Sequence, residues 1–424
     1  MGPALMLPSA ITLIETSFPT ASHRNLAFAG FSTAGPLGTA ASAVMSAVLS
    51  EKFRWQWCFW GLAIVCFGLG IVAWWALPTS PIERKDDEKK EFDFPGAVTG
   101  VLGLVMVSFT LNQAPLEQAG WNTPYIPTLL VSGMGILGVF TWIELRVAKH
   151  PILPLCDLYP HAALILFCVF AGWSSSGIWV YYLFIFLEQI RGQTATLSAA
   201  QIGPLAISGI CFALLTVWLL SRYRIAVSTV MLVFAMGLFV IANMLMALTP
   251  PDQTYWTQTF VSVVLMSGAM TLSFPAGVNL LSETQQGEHE KQHEYMKGMA
   301  ASSCLVAIVV NYGITCGLGL AGSIHKEGMR LAAKDKGITG VMPPLWESES
   351  SELATCTEVR LAGVRAAYWL AAALGGLGFL VAIILFLSQK KDLADDEKRV
   401  SSLVKPARAV YFGIQGVRDE RRLY

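Results

Sequence analysis

Charged and apolar positions segregate on a coarse scale along this chain. Residues 25–50, 55–82, 94–116, 118–143, 158–187, 192–221, 225–251, 253–282, 298–325 and 366–389 contain no Asp, Glu, Lys or Arg. A helix needs about 20 mainly apolar residues to cross roughly 30 Å of hydrocarbon. Each of these stretches is longer than that, and Trp55, Trp74, Trp121 and Trp256 stand near stretch ends, where tryptophan favours the lipid–water interface. The pattern predicts an all-α polytopic membrane protein with about ten full transmembrane helices. Residues 1–14 are also uncharged but would rise only about 21 Å as helix. They have no basic n-region and no small-residue cleavage site, so they do not read as a signal peptide. The expectation is a partial first helix whose first half lies before Met1.

Composition narrows the function. The chain is 54% apolar and 14% charged, and its basic and acidic residues cancel. Its mean hydropathy is +0.54. A soluble domain carries about 25% charged residues, so a soluble enzyme is excluded, and without a net field no nucleic-acid partner is expected. Orientation follows from the basic residues. With the segment after residue 15 placed inside, inside loops hold Arg24, Arg84, Lys85, Lys89, Lys90, Arg146, Lys149, Arg222, Arg224, Lys291 and Lys297. Short outside loops hold only Lys52, Arg54 and Arg191, and the basic tail falls inside. A long outside loop is expected over 326–365.

Two inside segments punctuate the chain. Pro78 to Asp93 is rich in proline and charge, and His150-Pro151-Ile152-Leu153-Pro154 is stiffened by its prolines. They suggest four parts: 1–80, the remnant of a first helix bundle; 81–150, a cytoplasmic linker with two inserted helices; 151–389, a six-helix bundle; and 390–424, a cytoplasmic tail. Six-helix halves are a common plan among secondary transporters.

Small residues recur through 25–50. Ala34, Gly38, Ser42 and Ser46 form one stripe, and Gly35, Thr39, Ala43 and Ala47 another. Such stripes let helix backbones approach closely in lipid, and Pro36 removes a backbone hydrogen bond. Ala27 to Trp57 resembles the fifth helix of the fourteen-helix drug:proton antiporters of the major facilitator superfamily, whose motif G-x-x-x-G-P-x-x-G-G keeps Gly35-Pro36 here and carries Gly38 nearby. Asn112-Gln113-Ala114-Pro115, Gly172 to Tyr182, Gln253 to Ser262, Ser273-Phe274-Pro275-Ala276 and Gly298 to Gly322 resemble a fungal, aminotriazole-resistance-like subgroup. The resemblance implies proton-coupled efflux of drugs or small organic compounds by alternating access. Its partners would be a small-molecule substrate, protons and the lipid bilayer, with no cofactor. The plasma membrane is the expected location, the vacuolar membrane the alternative. Measured against that family, the chain lacks the first three helices and so reads as N-terminally truncated. It also has Thr271 where the subgroup offers an acidic residue.

Polar groups within apolar stretches are expensive in lipid and mark a candidate pathway. The substrate-facing candidates are Asn112, Gln113, Trp173, Tyr181, Tyr182, Asn279, Asn311 and Tyr312, with Gly35, Pro36 and Gly38 on the motif helix. For any one of them an ordinary interhelical hydrogen bond is the competing explanation. Carboxylates are scarce, and Glu15 and Glu188 fall at stretch ends, where interfacial anchoring is expected. His289-Glu290-Lys291-Gln292-His293 matches the zinc-peptidase pattern H-E-x-x-H, but in a charged loop a solvated cluster is expected and no metal. Gly317-Leu318-Gly319-Leu320-Ala321-Gly322 fits G-x-G-x-x-G without a preceding strand, so close helix packing is expected. Rival functions are export of an endogenous metabolite or a small inorganic solute such as borate, a membrane zinc peptidase, and a non-transporting truncated product.

The orientation has a direct check. Cys356 should react with a membrane-impermeant maleimide added outside intact cells, while a cysteine replacing Lys89 should stay unlabelled. The reverse pattern would overturn the orientation.

Overall fold

A segment crossing lipid must satisfy its backbone hydrogen bonds internally, which leaves helices as the economical solution for a chain of long apolar runs. The computed structural model describes residues 21–76, 93–147, 160–222, 225–284, 292–337 and 356–388, together with residues 10, 13 and 14. Among them lie ten long helices: α1 (Ala21–Lys52), α2 (Gln56–Ala76), α3 (Phe94–Gln113), α4 (Tyr125–Arg146), α5 (Pro160–Phe184), α6 (Ala195–Arg222), α7 (Ile225–Leu248), α8 (Gln258–Thr284), α9 (Gln292–Asp335) and α10 (Cys356–Ser388). All but α1 are long and apolar enough to cross a membrane. The small residues of α1 lower its hydropathy, yet its 32 residues reach about 48 Å.

Large apolar side chains point outward, as a bilayer-facing surface requires. Trp74 and Trp75 on α2 are each 89% exposed, and α2 buries no residue at all. The buried core instead joins α5 to α8 with α10, around Trp179, Phe186, Phe239, Leu205 and Tyr368. Polar side chains inside it bridge the helices. The Trp179 indole N–H donates to Ser262 Oγ at 2.7 Å, and that hydroxyl donates to the Ala242 carbonyl at 2.8 Å, linking α5, α8 and α7. Asn243 Nδ2 donates to Ser175 Oγ at 2.8 Å.

The glycine run of α9 does what tight packing needs. A methyl on Gly313 would lie 2.8 Å from the Phe170 carbonyl oxygen, and one on Gly317 2.6 Å from that of Ser174, both on α5. A methyl on Gly319 would lie 2.7 Å from the backbone of Leu111 on α3. Side-chain bonds reinforce both contacts: Ser174 Oγ donates to the Gly313 carbonyl at 2.8 Å, and Asn112 Nδ2 to the Thr315 carbonyl at 3.2 Å. Beyond α3, Trp121 donates to Ser323 Oγ and the Lys326 ammonium to the Glu117 carbonyl. The α3–α4 hairpin is thus fastened to α9.

The long outside loop expected over 326–365 is shorter here. Helix α9 runs to Asp335 and α10 starts at Cys356. Charged residues end a lipid-compatible stretch but do not end a helix, and Arg330–Glu327 and Lys336–Glu358 ion pairs decorate these extensions. Most of residues 1–20, the segment 77–92 and the tail from 389 lie outside the described residues, as do His289, Glu290 and Lys291 of the H-E-x-x-H match.

Gly317→Ala should therefore lower the melting temperature of the detergent-solubilised protein, by the equivalent of about 1–3 kcal/mol of overpacking. Gly376, which has nothing within 4 Å of an added Cβ, provides the control: Gly376→Ala should melt no lower than the wild type, given the helix preference of alanine. Equal melting of the two variants would remove the close-packing assignment.

Candidate functional site

A cavity of about 830 Å³ lies between α1 on one side and α5, α8 and α9 on the other. The helical repeat of α5 builds one wall. Trp173, Gly177, Tyr181 and Phe184 recur at three- and four-residue steps on one face. Met270, Thr271 and Phe274 of α8 and Asn311, Ile314 and Leu318 of α9 add further sides. Phe31, Gly35, Pro36 and Thr39 of α1 face them. The wall is mostly apolar and aromatic with a few polar groups, and its volume lies within the roughly 300–1,000 Å³ of small-molecule sites.

Two contacts position α1 against α6. At mid-helix the two approach so closely that a methyl on Gly209 would lie 2.6 Å from Pro36 Cβ. At the far end of α1, Glu51 accepts the backbone N–H of Thr196 at 2.9 Å and its hydroxyl at 2.5 Å, capping the first turn of α6. The Thr196 hydroxyl, then its backbone N–H, hold the Glu51 carboxyl below the ordinary carboxylate range. A depressed pKa means that the cap is complete above the ordinary value and is lost only as pH falls through the lowered one. It therefore persists at neutral and mildly acidic pH.

Five of the sequence-derived candidates meet at this cavity: Gly35, Pro36, Trp173, Tyr181 and Asn311. Asn311 also donates to the Ala307 carbonyl at 2.8 Å, its own preceding turn. The other six lie elsewhere. Asn112 clamps α3 to α9, and Gln113 donates to Glu117 Oε1 at 3.2 Å. Tyr182 is buried behind Tyr181 against His325 and Tyr368. Tyr312 packs on Phe170, and Asn279 is half-buried on α8 outside the wall. Gly38 is exposed with nothing within 4 Å of an added Cβ. The small-residue seam follows Pro36, Ala40 and Ala47, which are buried, while Ala34, Gly38, Ser42 and Ser46 are exposed.

The residue that sequence reasoning placed elsewhere is Glu188. It follows Phe184 in a π-helical turn, Ile185–Ile190, and lines the cavity beside Gln189. Its position seven residues after Tyr181 was the available signal, since that spacing returns to the same helix face. Thr271, also in the wall, donates to the Ser267 carbonyl at 2.8 Å. Among the described residues no three His, Cys, Asp or Glu converge to hold a metal.

Comparison with known proteins agrees with this architecture. Residues 1–310 match the family model described as Major Facilitator Superfamily. A low affinity ammonium transporter of Saccharomyces cerevisiae is 38% identical over 94% of this chain and 71% of its own length. An efflux pump of Aspergillus terreus is 33% identical over 77% of this chain and 61% of its own. The aminotriazole resistance protein of S. cerevisiae is 29% identical over 77% of this chain and 58% of its own. With its long apolar helices, its outward-facing apolar side chains and its match to that family model, the chain belongs to the Major Facilitator Superfamily and is a multi-pass integral membrane transporter.

Proposed function

We propose that the protein exports small organic compounds by alternating access, coupled to the movement of protons. The observation that carries this reading is the cavity between α1 and the α5–α8–α9 face, because a carrier of this kind binds its cargo between two halves that rock against each other. In this reading residues 1–80 belong to one half, 81–150 are the linker and an inserted pair, 151–389 form the other half, and 390–424 are a cytoplasmic tail. The Pro36–Gly209 contact and the Glu51–Thr196 cap are then the seam on which the halves open and close, with the cap on the outer face. The names of the efflux-pump and aminotriazole-resistance relatives support organic cargo.

The relative named for low affinity ammonium transport supports a second reading, movement of a small nitrogenous solute. Volume favours the first. A water-sized solute occupies about 30 Å³, whereas this cavity has room for about 830 Å³, more than an ammonium ion can fill with contacts.

In vesicles from cells expressing the gene, a fluorescent organic amphiphile should be moved against its gradient, and a protonophore should abolish that movement. Gly209→Val forces the seam apart at its closest point and should cut the initial rate at least about tenfold with insertion unchanged. Uptake indifferent to both treatments would contradict the proposal.

A further inference from the structure

We infer that a groove along α2, headed by Arg54 and walled by Trp57 and Trp60, binds a phospholipid whose headgroup carries net negative charge. The inference goes beyond the transport reading and makes no use of the cavity between α1 and α5, α8 and α9.

The groove has a volume of about 530 Å³ and is lined by Arg54, Gln56, Trp57, Trp60 and Ile64. Trp57, Trp60 and Ile64 follow one another at three- and four-residue steps, so they share one face of α2. Arg54 precedes them in the short connection between α1 and α2. The groove therefore changes character along its length. It starts at a guanidinium and an amide, passes two indoles and ends at an aliphatic side chain. From Gln56 to Ile64 the helix rises about 12 Å. A phospholipid presents the matching order over a similar depth: a charged phosphate, then ester carbonyls at glycerol level, then an acyl chain.

The protein leaves the polar end of the groove unneutralised. Among the described residues the ion pairs lie on α9 and α10, and no carboxylate pairs with Arg54. The nearby Glu51 is turned to α6, where it accepts the Thr196 backbone N–H and hydroxyl. Lys52 adds a second positive charge to the same connection. The indoles stand ready below it. Trp57 packs against Phe53 with ring centroids 6.2 Å apart, and Trp57 and Trp60 are 48% and 65% exposed. Tryptophan at this depth combines an apolar ring with an N–H suited to ester carbonyls.

Charge decides between lipid and a second copy of the chain. A two-fold contact through this face would bring the same patch of each copy together, placing Arg54 and Lys52 against their own counterparts. An anionic headgroup supplies the opposite charge instead. Phosphatidylcholine offers the same phosphate, but its quaternary ammonium brings a positive charge to a site that already holds two.

Photochemical labelling of the full chain in phosphatidylcholine nanodiscs tests this assignment. A trace of phosphatidylglycerol with a photoactivatable acyl chain should label the peptide spanning residues 55–64. The label there should be about fivefold greater than with the phosphatidylcholine probe of the same chain, the worth of one basic side chain near anionic headgroups. Arg54→Gln should remove that preference with insertion and labelling by the phosphatidylcholine probe unchanged, and Arg54→Lys should keep most of it. Excess glycerol 3-phosphate in solution should not displace the label, because a free phosphate ester lacks the acyl chain that the lower groove holds. Equal labelling by the two probes, a preference that survives in Arg54→Gln, or displacement by glycerol 3-phosphate would each overturn the assignment. Cross-links between two copies of α2 in place of lipid adducts would overturn it as well.

Discussion

Close backbone contact between helices, made possible by glycine, is the constraint on which the rest of this structure depends. In lipid no hydrophobic effect draws helices together, since acyl chains are as apolar as leucine, so association rests on packing and interhelical hydrogen bonds. Helix α9 uses both. Its glycines admit the α5 backbone on one side and α3 on another, and Ser174 and Asn112 each add a bond to an α9 carbonyl. The same α5 and α9 faces, continued along each helix, supply Trp173, Tyr181 and Asn311 to the cavity. A wedge at Gly317 would move that wall as well as loosen the bundle.

The opposite wall is held differently. Helix α1 meets α6 along a seam in which a proline ring fits the notch at Gly209, and the contact ends in a carboxylate cap of a helix N-terminus. Such a seam suits motion. Each exposed hydrogen bond is worth only about 0.5–1.5 kcal/mol net, so the cap adds little to the packing by which Ala40 of α1 joins the core of Trp179, Phe239 and Leu205. The two walls of the cavity thus draw on different chemistry, glycine-packed backbone on one side and a proline notch with a carboxylate cap on the other.

Helix number and position are legible in the charge-free stretches because the bilayer imposes a minimum length on every crossing. The ends of α9 and α10 are not, because Lys326, Glu327, Arg330 and Glu358 leave the hydrocarbon without leaving the helix. The glycine run of 313–322 is legible as packing, but its two partners are not, since nothing in α9 itself names α5 or α3. Among polar residues, composition alone cannot separate Asn311, which lines the cavity, from Asn112, which clamps two helices. Glu188 reads as an interfacial anchor by its position in the stretch, and only the face shared with Tyr181 and the turn that follows Phe184 bring it into the wall.

The claim that joins these elements is that the α1–α6 seam opens and closes over the cavity while the α5–α9 wall stays fixed. Spin labels at Ser50 and Leu197, on the exposed ends of α1 and α6, report it by pulsed dipolar distance measurement in nanodiscs. Two distance populations should appear, and their ratio should shift when pH is lowered or a fluorescent organic amphiphile is added, with a label pair across α5 and α9 unchanged. A single α1–α6 distance, the same under every condition, would contradict it.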